Sequence, residues 1–400
     1  MRTRDSSIPR PTRWLAQAGS VALALCLAFG AAAPAGAVSP TEAAWDALGS
    51  RLQAVIDEAG ADGVRMGIAV ADLSGTYGGL TSSLGSAEPY KAASVIKLPL
   101  LALLMDYADQ GTLSLGELVH IEEGDSNIVG GSGTLRNREF PLDITVGELM
   151  ELMVQVSDNT ATNVLIDRAG GFDAVNAYIA SLGFDTMWLG RKMIHPAVPP
   201  LQENYLNAQE VRDLLIMLWD HEILSPESSE HIITLMKGQL VDTKFGAVIP
   251  REFLANKTGE LGDVSHDSGY ILLPGRETAL AVTTAFDSSR PRAEVDLYVQ
   301  RAATITYEFL QEPLASPEPS DSDSPSATAT GGESAVGATG TPQSGDRSAQ
   351  SGESLAATGA ANPPWSLMLS AAALIGLGGC LSAAAARLRT RHRAAWEASP

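Results

Sequence analysis

The spacing of apolar residues changes character along the chain. After Thr41, which would serve as an N-cap, it has the 3–4 period of a helix and predicts one to Ala59. Val64 to Asp72 (VRMGIAVAD) is a compact apolar run that reads as a strand, and Gly75 marks a turn towards a second strand. From Ser94 to about Leu240 the helical period dominates between glycine breaks. Its clearest segments are Val146–Val156, Thr160–Ala169 and Ala208–Trp219. Strand-like runs return at Phe253–Thr258, Gly269–Leu273 and Thr278–Phe286, and a last helix is predicted from about Arg292 to Leu310. An α-rich stretch set inside a sheet with helices at both ends predicts an α+β fold. This is an antiparallel sheet flanked by terminal helices, with an inserted all-α lobe and a cleft between two lobes.

Outside residues 41–312 the pattern is of another kind. Residues 1–37 read as a secretory signal peptide: Arg2, Arg4, Arg10 and Arg13, then an apolar stretch from Val21 to Phe29, then Ala35-Gly36-Ala37 as a cleavage site. Residues 313–354 are Ser, Pro, Thr, Ala, Gly and acidic residues, with no Leu, Ile, Phe or Tyr between Ala315 and Ser354. Such a segment buries too little apolar surface to offset its ordering entropy and is expected to be a disordered stalk. Residues 355–400 begin with Leu355-Ala356-Ala357-Thr358-Gly359. A charge-free run of 22 residues from Trp365 to Ala386 follows, long enough to span a bilayer, and then a basic tail over 387–400. This order resembles a sortase cell-wall sorting signal with Ala in the Pro position of LPxTG. The resemblance implies a sortase partner that cleaves between Thr358 and Gly359, and an extracellular, wall-anchored product. A plain single-span membrane anchor is the alternative.

Charge and composition narrow the function. The 400 residues carry 27 Lys+Arg against 47 Asp+Glu, a net charge of −20. Each expected disposable end carries four Arg and one acidic residue, so the remainder would carry −26. That balance excludes a nucleic-acid binder, which needs cations for phosphate. The two cysteines, Cys26 and Cys380, both lie in those ends, so the fold must rest on a hydrophobic core. Six scattered histidines show no metal-ligand spacing, and no metal or cofactor is expected.

Three short motifs carry chemistry. Ser94-Val95-Ile96-Lys97 is an S-x-x-K at a loop-to-helix transition, with Pro99 fitting the first helical turn. Positions i and i+3 share a helix face, which puts the Lys amine in reach of the Ser hydroxyl as its base. Ser157-Asp158-Asn159 follows 63 residues after Ser94. Its hydroxyl would relay a proton and its amide would bind a substrate amide, although S-D-N is also an ordinary helix cap. Lys257-Thr258-Gly259 comes 98 residues after Asn159 on a predicted strand. There a cation beside a hydroxyl suits a substrate carboxylate, and a glycine leaves room for a ligand backbone. No G-x-S-x-G occurs, and His266-Asp267 reads as a strand-end turn.

Taken together, in this order and on these elements, the motifs resemble those of class A β-lactamases and penicillin-binding proteins, the class A side being closer. Thr160–Gly171 (TATNVLIDRAGG) and Gly269–Arg276 (GYILLPGR) are also similar to that family. The resemblance implies a serine hydrolase acting on a β-lactam or a peptidoglycan stem-peptide-like substrate. Ser94 would be acylated, Lys97 would be its proton partner, and Ser157 would relay the proton to the leaving nitrogen. Asn159 would bind the substrate side-chain amide, and Lys257 and Thr258 its carboxylate. The backbone N–H groups of Ser94 and Glu260 would form the oxyanion hole. The family's deacylating Glu, in E-x-x-L-N, would fall on or near Met193, which has no basic group. Glu203-Asn204-Tyr205-Leu206-Asn207 spells that motif about ten residues later, making Glu203 the candidate base. With a working base the protein would destroy β-lactams. Without one it would be a D,D-peptidase-like enzyme or a β-lactam trap, and a non-catalytic wall-binding module is a further alternative.

Overall fold

The computed structural model describes residues 38–314 apart from 198, 200 and 201. The signal peptide, the stalk beyond residue 314, the sorting pentapeptide and the apolar span at 365–386 lie outside the described residues. Among the described residues no helix is long and apolar enough to cross a membrane.

Helix α1 (Pro40–Ala61) leads into strands β1 (Arg65–Asp72), β2 (Thr81–Gly85) and the two-residue β3 (Tyr90–Lys91). The helical lobe follows: α2 (Lys97–Asp109), β4 (Leu118–Ile121), β5 (Leu142–Thr145), α3 (Val146–Gln155), α4 (Asn159–Arg168), α5 (Gly171–Ser181), β6 (Tyr205–Leu206), α6 (Ala208–Trp219) and α7 (Pro226–Lys237). The chain then returns to the sheet as β7 (Leu254–Glu260), β8 (Ser265–Ile271) and β9 (Thr278–Ala285), and ends in α8 (Arg292–Gln311). The expected α+β architecture is present. The five-stranded sheet has the order β2-β1-β9-β8-β7, antiparallel throughout, with β3–β6 and β4–β5 as small separate pairs.

Strand alternation divides the core. Met66, Ile68 and Val70 of β1, with Leu280 and Val282 of β9, face α1 and α8. Ala69, Ala71, Ala279 and Ala281, between them in sequence, face the helical lobe. The large residues fill the space under two helices, and the alanines let α6 settle directly on the sheet.

Two expected boundaries change. Helix α1 is capped by Ser39 rather than Thr41, in a reciprocal capping box with Glu42 and with Pro40 in the first turn. His266 and Asp267 are not a strand-end turn. Both are fully buried in β8. His266 Nδ1 accepts from the Thr284 amide at 3.1 Å, so the proton sits on Nε2, which donates to the Lys91 carbonyl at 2.8 Å. The Asp267 carboxylate accepts from Asn256 Nδ2 at 2.8 Å and from the Phe245 amide at 3.0 Å. Satisfied hydrogen bonds allow polar residues where strand alternation alone would place apolar ones.

Candidate active site

The three motifs meet in the cleft between the sheet and the helical lobe. Ser94 sits on a single 3₁₀ turn, Ala93–Ile96, immediately before α2. The turn is held against β7 at Gly259. A Cβ added to Gly259 would lie 3.1 Å from the Ser94 nitrogen and 3.0 Å from that of Val95. The glycine therefore makes room for the backbone of the nucleophile turn, and not for a ligand as its sequence context suggests. The same contact brings together the elements that carry the Ser94 and Glu260 amides.

Lys97 is buried on the first turn of α2. Its amine does not turn back to Ser94 as the i, i+3 spacing implies. It donates to the Ser157 carbonyl at 2.8 Å, to Ser157 Oγ at 3.1 Å and to Asn159 Oδ1 at 3.1 Å. Lys257, fully buried on β7, donates to the same Ser157 Oγ at 3.0 Å and to the Thr258 carbonyl at 2.8 Å. Two amines thus occupy both acceptor sites of one hydroxyl and leave its O–H free to donate. Burial, and then the neighbouring Lys257 charge, hold Lys97 well below the usual Lys range, with Asp158 opposing. Burial pushes Lys257 down to about 7, partly offset by Asp267.

Both readings of S-D-N hold at once. Asp158 is the N-cap of α4, accepting from the Ala161 amide at 2.9 Å. Its other oxygen accepts from the Thr134 and Leu135 amides at 2.6 and 2.8 Å, which fixes the loop lining the far wall. Asp158 thereby frees Ser157 and Asn159 for the cleft. Asn159 Nδ2 donates to the Gly130 carbonyl at 3.2 Å, leaving one further donor and one lone pair of that amide. Ser157 adopts φ +55°, and Ala93 and Ile194 adopt +46° and +68°. Three of the four non-glycine residues with positive φ among those described therefore flank this cleft, where strain is characteristically kept.

The remaining wall is the loop between Trp188 and Tyr205, which pair in a short antiparallel bridge. Asn163, one turn beyond Asn159 on α4, clamps Met193 through both amide atoms, accepting from its N–H at 2.7 Å and donating to its carbonyl at 3.2 Å. Glu203 reaches the cleft from the other end of the loop, but its carboxylate is engaged. Arg191 donates Nε at 2.8 Å and Nη2 at 3.1 Å, and the Asn204 amide adds a third bond at 2.8 Å. Asn204 Oδ1 in turn accepts from the Gly190 and Arg191 amides. Sequence reading missed this knot and the Asn163 clamp, although the i, i+4 spacing of Asn159 and Asn163 was a usable signal. The resulting cleft has a volume of about 490 Å³, with Ser94, Asn159, Met193, Glu203 and Glu260 in its walls.

The model of the beta-lactamase enzyme family matches residues 47–310. The chain belongs to that family. It is 29% identical over 323 residues to a beta-lactamase of Streptomyces fradiae, covering 77% of this chain and all of that one. It is 27% identical over 235 residues to beta-lactamase AER-1 of Aeromonas hydrophila, covering 58% and 76% respectively. Among solved structures, the beta-lactamase from Sphaerobacter thermophilus superposes with TM-score 0.60 at 29% identity, over 65% of this chain and 97% of that one. PBP-A superposes with TM-score 0.59 at 24% identity, over 66% and 96%, a likeness of fold. The chain is accordingly a serine hydrolase of the class A β-lactamase type, a class that works through an acyl-enzyme.

Proposed function

We propose that Ser94 is acylated by β-lactams and that hydrolysis of the resulting ester is the slow step. The observation that carries this reading is the Ser157 hydroxyl held by Lys97 at 3.1 Å and Lys257 at 3.0 Å beside the Ser94 cleft. As Ser94 Oγ bonds to the lactam carbonyl carbon, its proton passes to Lys97, whose amine, in the neutral form favoured by burial, gives up one of its three contacts at Ser157 and Asn159 and turns to Ser94. The Ser94 and Glu260 amides stabilise the oxyanion. The C–N bond then breaks, and the Ser157 proton goes to the leaving nitrogen and is replaced from the amine. Asn159 receives the substrate side-chain amide, and Lys257 with Thr258 its carboxyl group.

Deacylation needs a base for water. Met193 supplies none, and Glu203 is bound by Arg191 on both oxygens. A long-lived acyl-enzyme follows, and with it the alternative of a D,D-peptidase-like enzyme acting on stem peptides. Intact-protein mass spectrometry should show a β-lactam adduct on the wild type that is absent from Ser94→Ala. An identical adduct on both would end the proposal. Met193→Glu should raise turnover of a chromogenic cephalosporin at least tenfold, and Glu203→Ala should not abolish it. Loss of turnover in Glu203→Ala with the fold intact would return the base to Glu203. We propose further that the enzyme is exported and held at the wall through Thr358. Release from cells should then require muramidase and depend on Thr358, whereas release by detergent alone would favour a membrane span.

A further inference from the structure

Glu260 follows the Lys257-Thr258-Gly259 motif directly, and its side chain does more than accompany its backbone amide. Strand alternation puts Thr258 and Glu260 on the same face of β7. Arg292, the first residue of α8, reaches Glu260 there. Glu260 Oε2 accepts from Lys244 Nζ at 2.9 Å, and Oε1 lies 3.5 Å from Arg292 Nη2. The Lys244 side chain is completely buried, while those of Glu260 and Arg292 are 33% and 44% exposed and line the cleft. The third cation at this end, Lys257, commits two of its three donors to Ser157 Oγ and the Thr258 carbonyl. A negative charge therefore already stands where the substrate's carboxyl group arrives, and it engages two of the three cations present.

We propose that Glu260 is a specificity-determining internal carboxylate: it occupies Lys244 and Arg292, so that the cleft favours substrates whose carboxyl group beside the scissile amide is uncharged, as an amide or ester, over free carboxylates. The inference rests on the reading that Thr258 and Lys257 receive that carboxyl group. A free carboxylate has to enter beside Glu260 and compete with it for Arg292. An ester or amide does not, and its carbonyl still accepts from Lys257 and the Thr258 hydroxyl.

The test compares second-order acylation of the full chain by benzylpenicillin and by its methyl ester, followed by intact mass. In the wild type the acid-to-ester rate ratio should be at or below one. In Glu260→Gln it should rise by roughly tenfold or more, the effect of removing one charge about 5 Å from a carboxylate in a partly solvated site. Because the readout is a ratio, a general loss of activity does not imitate the effect. If Glu260→Gln is unstable because Lys244 is left buried and unpaired, Lys244→Met with Glu260→Gln removes both charges and should raise the ratio in the same sense. Adding Arg292→Gln to either variant should bring the ratio back towards that of the wild type. A ratio that moves less than twofold, or a rise that survives the loss of Arg292, overturns the role of Glu260. Acylation by neither compound overturns the Ser94 reading itself, so the two failures are distinguishable.

Discussion

Two ammonium groups cannot comfortably share one buried hydroxyl. Lys97 and Lys257 both donate to Ser157 Oγ, and both are depressed, chiefly by burial. This has a consequence for stability. An unfolded Lys titrates near 10.4, whereas Lys257 in the fold titrates at about 7. Between those values the unfolded chain binds more protons, so stability rises with pH across that window. Lys257→Met removes this contribution. Urea unfolding at pH 7 and pH 9 should show wild-type stability increasing by about 2 kcal/mol more than that of Lys257→Met. Equal slopes would mean that Lys257 is an ordinary lysine. At this scale Ser94, Lys97, Ser157 and Lys257 were legible because their spacing is itself a signal. Arg191 was not, because its work lies in a contact with Glu203 that no local spacing encodes.

Elements position these residues, and the tightest junction is between β7 and the 3₁₀ turn carrying Ser94. Gly259→Ala inserts a methyl group 2.9 Å from Val95 Cγ2 and 3.0 Å from the Val95 nitrogen, so both a stiff β-branched side chain and the backbone must yield. We expect Gly259→Ala to lower acylation of Ser94 more than tenfold and stability by about 1–3 kcal/mol, measured by adduct formation and urea unfolding. Normal acylation with normal stability would show the junction to be loose. The longer elements were readable from the sequence. Helix α6 occupies the predicted Ala208–Trp219, with Asn207 as its cap. Strand β8 was half lost, because Ser265, His266 and Asp267 are polar residues that are buried only through long-range partners. The two-residue strands β3 and β6 are too short to leave any period, and only their pairing with each other defines them.

On the scale of the whole folded unit, the order of the central strands brings distant segments together. β1 pairs along its entire length with β9, Arg65 opposite Ala285 and Asp72 opposite Thr278. The α+β class followed from the sequence of periods, whereas this pairing is a tertiary choice. Helices α1 and α8 then lie together on one face of the sheet. Arg51 reaches Glu312 at 2.7 Å and Arg301 reaches Glu58 at 2.5 Å. Pro40 and Thr41 share one small hollow with Glu312 and Leu314. The first and last described residues are thus neighbours. A circular permutant that joins 314 to 38 by a short Gly/Ser linker and opens in the exposed turn at Gly111-Thr112 should retain Ser94 acylation within about tenfold. Failure of a soluble permutant to acylate would mean that continuity from α2 into β4 is required. The same neighbourhood has a mechanical meaning. A pull applied at residue 314 is taken up by α8 against α1 and by the ion pairs that span them, before any strain reaches β7 and the Ser94 turn. The helix pair is the seam at which tension would first open this enzyme, and it touches the cleft only where Arg292 begins α8.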